Sequence, residues 1–525
     1  MELIAGLRAR LMQPAFLVAL ASALIAVVVQ SGDLGSSDAV HRLQAAHSLW
    51  TSEPPVFPNE YPDFGVRGRG GRIQGSYGIG QSLLFLPADI VGGLLERLPV
   101  FTEYNGNDPA VRTIVVCYAV SVFVNVVTAL LCLRFLALLG FNRIQAIVAT
   151  MALLLATTHL SYTQVQQENN YIFLLTLAGL GYQFEWARTG SRAALIVGSA
   201  AFGLNLLTRI TTGLDLLAGG LFIVLALLFE GLRGRLLWAR VRQYAATAVP
   251  IYLLFGIFDR LYQFYRFGSF WTTYVRLTAI EMRQRDPSLP ANFPFSGSFH
   301  VGFLGALFSP EKSIFLLDPL MVLTALLAAV AWRRFTPAVK AYLIAMAAML
   351  LAYVCFYARY FSWAGDWAWG DRYVSTAAEF IVLPAVSLLL RYQGELRREL
   401  VALCAAICAI SVAVQAASVA FWLSLEHYQI QMMRRPVWVV ALRFENIAGF
   451  ALSKMQAWGL YHFLPVDDAW AVQHITCWNF LPFQLQHAGV APEWVVRLTF
   501  TLWFGAIAAL VWTLMRLWQI LRTQS

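Results

Sequence analysis

Charge is what this chain has least of. Only 13% of its 525 residues are Asp, Glu, Lys or Arg, about half the share of an average soluble domain. Lysine is nearly missing. Lys312, Lys340 and Lys454 are the only three, so arginine carries almost all of the basic side of a formal net charge of +9. In so apolar a chain this excess needs no nucleic acid. It reads as the positive-inside bias of membrane proteins, with a share available to bind phosphate. Cysteines are few. Cys117, Cys132, Cys355, Cys404 and Cys408 sit in apolar runs and Cys477 stands alone in a polar segment, which argues against a disulfide framework. No GxxxxGK loop and no strand–GxGxxG–helix unit occurs, so nothing points to nucleotide chemistry. Internal repeats and low-complexity tracts are also missing. Arg8 and Arg10 precede the apolar run 15–29 without a convincing small-residue cleavage site after it, so the run reads as a permanent helix.

What is present is apolar surface. Hydrophobic residues make up 59% of the chain and mean hydropathy is +0.62, the signature of an all-α integral membrane protein. Runs at 15–29, 111–139, 144–160, 171–186, 193–207, 214–229, 245–258, 314–331, 338–356, 374–390, 401–423 and 498–517 predict about twelve transmembrane helices. Residues 82–98 are apolar but bounded by Pro87 and Glu96, which suits an interfacial or re-entrant helix in the first polar loop, 31–110. The organisation expected is a transmembrane core over 1–422, an outer loop region of unknown role over 423–497, and a last span with a cytoplasmic tail over 498–525.

The short arginine-rich connections set an orientation. They hold Arg188/Arg192, Arg233/Arg235/Arg240/Arg242, Arg333/Arg334/Lys340 and Arg391/Arg397/Arg398, and the tail holds Arg516/Arg522. With the N-terminus inside, all of these fall on the cytoplasmic side. The long polar segments and the turns at 161–169 and 358–373 then share the outer face. That face has no ATP and no nucleotide sugars, so chemistry there uses a donor already outside, or a gradient.

One stretch anchors the reading: Gly35 to Trp50, GSSDAVHRLQAAHSLW. It follows the first span and reads as a surface helix. Ser36, Ser37 or Asp38 can cap it, and Val40, Leu43, His47 and Trp50 recur as one apolar stripe. Asp38 is then either an N-cap or a working carboxylate. Glu168, Asp366 and Asp371 supply further outer acids, Arg72, Arg266 and Arg372 are candidate phosphate ligands, and Trp363, Trp367, Trp369 and Tyr373 crowd one turn. A carboxylate can take a proton from an acceptor hydroxyl, and arginines can stabilise a leaving phosphate. Plainer roles stand beside these. The Trp run suits an interfacial belt, Glu168 a helix cap, Arg209 a snorkelling side chain, and Asp318 before Pro319 a cap or kink. His427, His462, His474 and His487, with His474-x-x-Cys477, match no metal-ligand spacing.

Seven motifs in this order resemble the polytopic GT-C glycosyltransferases, in the bacterial branch related to protein O-mannosyltransferases and the lipid A aminoarabinose transferase. They are SSDAVHRLQAAHSLW, GSYGIGQSLLFLPA, HLSYTQVQQEN, LTRITTGL, FYRFGSFWTTY, LFSPEKSIFLLDPL and SWAGDWAWGDRY, spread from Ser36 to about Leu390. Beyond Arg391 there is no resemblance. It implies inverting transfer of a sugar from a polyprenyl-phosphate donor to a lipid, glycan or protein acceptor. Asp38 would be the base, Glu168 the second acid, and Arg372 and Arg266 donor-phosphate ligands, with Arg72 a further candidate. His41, Tyr77, Gln81, Trp369 and Tyr373 are candidates to line the substrate. No cofactor is implied, a divalent metal is not indicated, and the expected setting is a bacterial inner membrane with the site on its outer face. Two departures stand out: Ala39 follows Asp38 where a second acid is common, and Asp371 precedes Arg372 where Pro is common. The rival class is a transporter or flippase for a lipid-linked glycan or small solute. That class favours two related halves and a mid-membrane site, neither of which the sequence displays. A receptor-like or scaffold role for 424–497 has no motif behind it.

Overall fold

A computed structural model describes residues 13–61, 63–101, 104, 109–422, 424–461 and 477–524. Arg8, Arg10, His462 and His474 lie outside the described residues. The described chain is helical almost throughout. A backbone in an apolar medium satisfies its polar groups within a helix or a closed barrel.

α1 (Pro14–Val29) leads to α2 (Ser37–His47), a hairpin of β1 (Gly65–Arg67) and β2 (Ile73–Gly75), and α3 (Gly80–Glu96). Next come α4 (Val111–Leu138), α5 (Arg143–Ala156), α6 (His159–Gln164), α7 (Asn169–Thr189), α8 (Arg192–Thr208), α9 (Gly213–Phe229) and α10 (Gly234–Phe267). The polar stretch after them holds α11 (Tyr274–Arg285) and α12 (Phe299–Phe308). Then follow α13 (Ile314–Leu317), α14 (Leu320–Ala331), α15 (Pro337–Tyr357), α16 (Ser375–Val382), α17 (Ala385–Tyr392) and α18 (Arg398–Ser418). α19 (Ser424–Gln431), α20 (Val439–Ala451), α21 (Leu481–Ala488) and α22 (Glu493–Gln524) complete the chain.

The main core joins α4, α9 and α15, where Phe135, Phe222 and Tyr342 meet edge to face with ring centroids 5.3 to 6.2 Å apart. A second core packs α1 against α4 and α22 through Leu17, Ile25, Ala129 and Leu517. A third seats α2 on α3 and α4 through Ala39, Leu43, Ala46, Phe85 and Val116. This corrects the expected stripe on α2. Val40 is exposed, and the buried face instead uses the small residues Ala39 and Ala46, which let the helix approach closely.

Seven segments among the described residues are long and apolar enough to cross a membrane, not twelve: Val111–Leu138, Ile210–Phe229, Gly234–Phe267, Pro337–Tyr357, Ser375–Glu395, Arg398–Ser418 and Glu493–Thr523. Helices occupy the other expected spans, but Pro14–Val29, Arg143–Ala156 and Arg192–Thr208 are short. At about 1.5 Å per residue, such lengths fall below a hydrocarbon core of about 30 Å. The run 314–331 is interrupted at Asp318 and Pro319. Its ring-locked nitrogen carries no hydrogen to continue the ladder. The small antiparallel hairpin, with Val66 opposite Gln74, is the one departure from an all-helical chain among the described residues.

The bundle has two chemically distinct ends. At one, Arg188 donates to the Leu138 carbonyl at 2.8 Å, Arg391 to the Gly140 carbonyl, and Arg334 pairs with Glu395 at 2.7 Å. At the other, the long polar segments converge.

Candidate functional site

Asp38 lies in the first turn of α2, but it is not the cap. Ser36 fills that role, its hydroxyl accepting the Ala39 N–H at 3.3 Å. The Asp38 carboxylate is thereby left for other partners. Arg372 Nη1 donates to it at 2.6 Å and the Tyr77 hydroxyl at 2.7 Å. Burial would raise this carboxyl, but the Arg372 and Arg42 guanidiniums and the Tyr77 hydrogen bond outweigh it and hold it well below the usual carboxylate range. Burial pushes the Tyr77 hydroxyl well up, so it stays a donor.

Tyr77 reaches Asp38 because of its glycines. A Cβ at Gly78 would lie 2.3 Å from the Leu207 carbonyl oxygen, and one at Gly80 would lie 2.3 Å from Thr208 Oγ1. The segment can press against the end of α8 only with glycine there. From the other side, Arg266 Nη1 donates to the Gly75 and Tyr77 carbonyls at 2.7 and 2.9 Å.

Glu168 immediately precedes α7 without capping it through its side chain. It forms the second ion cluster instead. Arg42, one turn after Asp38, approaches it at 2.5 Å, and Arg209 pairs with its other oxygen. Arg209 is therefore a partner of Glu168 and not a snorkelling chain. The Arg42 guanidinium lies 4.5 Å over the Tyr77 ring, and that of Arg209 lies 5.3 Å over Tyr373. Three guanidiniums, two carboxylates and a tyrosine thus join α2, the turn before α7, the α8 terminus and the turn 362–373.

That turn is held from below by Lys312. Its buried ammonium donates to the carbonyls of Asp366 and Ala368 at 2.7 and 2.8 Å, and lies 3.4 Å from that of Gly370. Burial lowers Lys312 to about 8, while Glu311, Asp371 and Asp366 act in the opposite sense. Gly365, Asp366 and Gly370 all have positive φ. At Gly365 a Cβ would lie 2.7 Å from Arg372 Cγ, so this turn can fold over Arg372 only with glycine there. Asp371 does not face Asp38. Burial raises it to about 7, and the Tyr373 N–H and Lys312 pull the other way.

Asp38, Arg372 and His41 open onto a cavity of about 650 Å³. Trp367 and Trp422 form one wall and Phe57 and Phe64 another, with His41 stacked on Phe64 at 4.3 Å. Of the three arginines expected at a donor phosphate, Arg372 lines this cavity; Arg266 is committed to the backbone carbonyls just described and Arg72 is exposed in the hairpin. Gln81 is buried and donates to the Gln166 carbonyl at 2.8 Å. Trp369 is buried under the Arg443 guanidinium at 5.2 Å, and Tyr373 stacks on Tyr357 at 4.2 Å. Arg42, Arg209 and Lys312 are the residues sequence reading did not assign to the site. Arg42 carried a signal in its i+4 spacing from Asp38 on one helix face, and Arg209 and Lys312 lie within the motifs LTRITTGL and LFSPEKSIFLLDPL. No group of three or more His, Cys, Asp or Glu arranged for a metal occurs among the described residues.

No family model matches the chain, and no curated protein matches it. Among solved structures, archaeal oligosaccharyltransferase AglB from Archaeoglobus fulgidus, in complex with an inhibitory peptide and a dolichol-phosphate, is similar at a TM-score of 0.38 and 12% identity, over 87% of this chain and 57% of that one. The chain thus spans a little over half the length of that protein.

Proposed function

We propose that this chain is a membrane glycosyltransferase that moves a sugar from a polyprenyl-phosphate donor to an acceptor hydroxyl, inverting the anomeric centre, on the non-cytoplasmic side. The observation that carries the reading is the Asp38–Arg372 contact of 2.6 Å at the edge of the cavity. A carboxylate held low by a guanidinium is a weak base. A donor phosphate competes for that guanidinium and can take it through two parallel hydrogen bonds. As Arg372 turns to the phosphate, Asp38 keeps its burial and loses its strongest cation. Its proton affinity rises when the acceptor needs it. The acceptor O–H then attacks the anomeric carbon, its proton passes to Asp38, and the breaking C–O bond leaves its electrons on the polyprenyl phosphate. Arg42 and Arg209, balanced by Glu168, add positive charge around that leaving group.

Transport is the rival. It would use the buried pair Asp318 and Glu379, which both contact the Thr158 hydroxyl, at 3.0 and 2.8 Å. The cavity is lined by none of these three residues, which favours chemistry at the bundle end.

The test is Asp38→Asn in the full chain in nanodiscs, with polyprenyl-phosphate sugars as donors. Asn preserves shape, and Ser36 still caps the helix. Turnover should fall about a hundred- to ten-thousand-fold, the usual contribution of a positioned base, with donor binding intact. Retention of more than about a tenth of the activity removes Asp38 as base.

A further inference from the structure

The cavity beside Asp38 offers both hydrogen-bond acceptors and a donor. Three buried side-chain atoms of its lining residues have no hydrogen-bond partner, His41 Nε2, Gln167 Oε1 and Arg372 Nε. His41 Nδ1 lies 2.6 Å from the Ser37 carbonyl, so Nδ1 carries a proton. Gln167 Oε1 is an acceptor and Arg372 Nε a donor. Asp33, Glu60 and Asp366 add carboxylates, with Glu60 Oε1 3.5 Å from His41 Nε2. The lining has two guanidiniums: Arg372, 2.6 Å from Asp38 and assigned above to the donor phosphate, and Arg112, 3.5 Å from Asp89.

An amide acceptor, a free guanidinium N–H and three carboxylates call for a ligand that both donates and accepts hydrogen bonds and adds no negative charge beyond the donor phosphate at Arg372. A protonated amine would suit the charge, but it has no lone pair with which to attack. The walls narrow the choice further. Trp367, Trp422, Phe57 and Phe64 present flat apolar faces around the polar atoms, and a pyranose offers C–H faces bordered by hydroxyls.

From this complementarity, and resting on the transferase reading for Asp38 as base, we infer that the cavity takes an uncharged saccharide as acceptor, so that the enzyme joins sugar to sugar. The bond formed is between the acceptor oxygen and the anomeric carbon; the bond broken is between that carbon and the donor phosphate oxygen. Asp38 receives the hydroxyl proton. Trp422, at the end of the segment leading into α19, gives the C-terminal part of the chain a share in acceptor recognition.

Saturation-transfer NMR on the full chain in nanodiscs tests this without any donor. The probes are mannotriose and cellotriose, against mannose 6-phosphate and glucose 6-phosphate. A neutral oligosaccharide should show transfer from the protein to its ring protons, and binding should weaken about tenfold in Trp367→Ala, the scale of one lost aromatic contact. The double variant Glu60→Gln, Asp366→Asn should let the phosphorylated sugars compete measurably. Preference for phosphorylated sugars that persists in Arg372→Gln, no binding of any saccharide, or binding that Trp367→Ala leaves unchanged would overturn the inference. Saccharide binding in a chain with no transfer from any polyprenyl-phosphate sugar would retain the site and sink the transferase reading instead.

Discussion

Two buried carboxylate–arginine pairs differ in how completely they are satisfied. Glu426 and Arg443, in the C-terminal part, are sealed. Arg443 Nε and Nη2 meet the two carboxylate oxygens at 2.7 and 2.6 Å, Nη1 donates to the Ser418 and Phe421 carbonyls at 2.8 and 2.7 Å, and Asn446 donates to Glu426 at 2.9 Å. No polar side-chain atom of either residue is left buried without a partner. Asp38 and Arg372 share a single contact beside a cavity, and Arg372 Nε is buried without a partner. Arg42 Nε is in the same condition. A closed pair has nothing to offer a ligand. An incompletely satisfied one in a low dielectric has strong unspent capacity for hydrogen bonding. Ion pairing alone therefore does not mark a working site; incomplete satisfaction beside open space does.

The comparison can be broken most forcefully from the sealed side. Arg443→Met should leave the Glu426 charge buried and uncompensated, at a cost of about 3–5 kcal/mol. A large fall in apparent Tm and in monodisperse yield is expected, and a thermally normal variant would show that the pair is not structural. On the open side, Arg372→Lys should leave Tm nearly unchanged. Lys keeps the charge but cannot form two parallel bonds. A loss of about 1.5–3 kcal/mol, or roughly ten- to a hundredfold in kcat/KM for the donor, is expected. Equal kinetics would return Arg372 to the role of anchor.

A smaller effect should come from Lys312→Met. The ammonium touches the carbonyls of the turn and not the cavity. Its loss should raise the donor KM about three- to tenfold through Arg372. In an Arg372→Lys background the same change should cost almost nothing, because coupled positions are not additive. Full additivity would make Lys312 a general stabiliser. The smallest effect concerns pH. The Asp371 carboxyl is raised from 3.8 to about 7, so the folded chain holds that proton more tightly than the unfolded one. Its contribution to stability is full below about pH 4 and is lost as pH rises through about 7. Lys312, lowered to about 8, acts with the opposite sign and at higher pH. Apparent Tm should therefore drop between about pH 5.5 and pH 7.5, and Asp371→Asn should flatten that drop. An unchanged slope would remove Asp371 as its source.

Much of the molecule was legible from one dimension. Apolar runs located the helices because a backbone removed from water must bond to itself. The arginine bias of short connections separated the two ends, and Arg188, Arg334 and Arg391 do gather at the end away from Asp38. Asp38, Glu168 and Arg372 stand out as charged residues of the outer-face segments and turns, and the resemblance implies their roles. Span length was less legible: the run expected over 144–160 ends as a helix at Ala156, and the run 314–331 splits into two helices at Asp318 and Pro319.

Partners were not legible at all. Which partner the Asp38 carboxylate takes depends on where Arg372 arrives, 334 residues later. That Arg209 serves Glu168 and Arg266 serves the Tyr77 loop follows from contacts across the bundle end. Composition and periodicity thus determined the helices and the kind of chemistry available, because both are local consequences of transfer from water. The tertiary structure decided which charges are satisfied and which face the cavity, because satisfaction is a property of pairs and neither partner carries it in its own stretch of sequence.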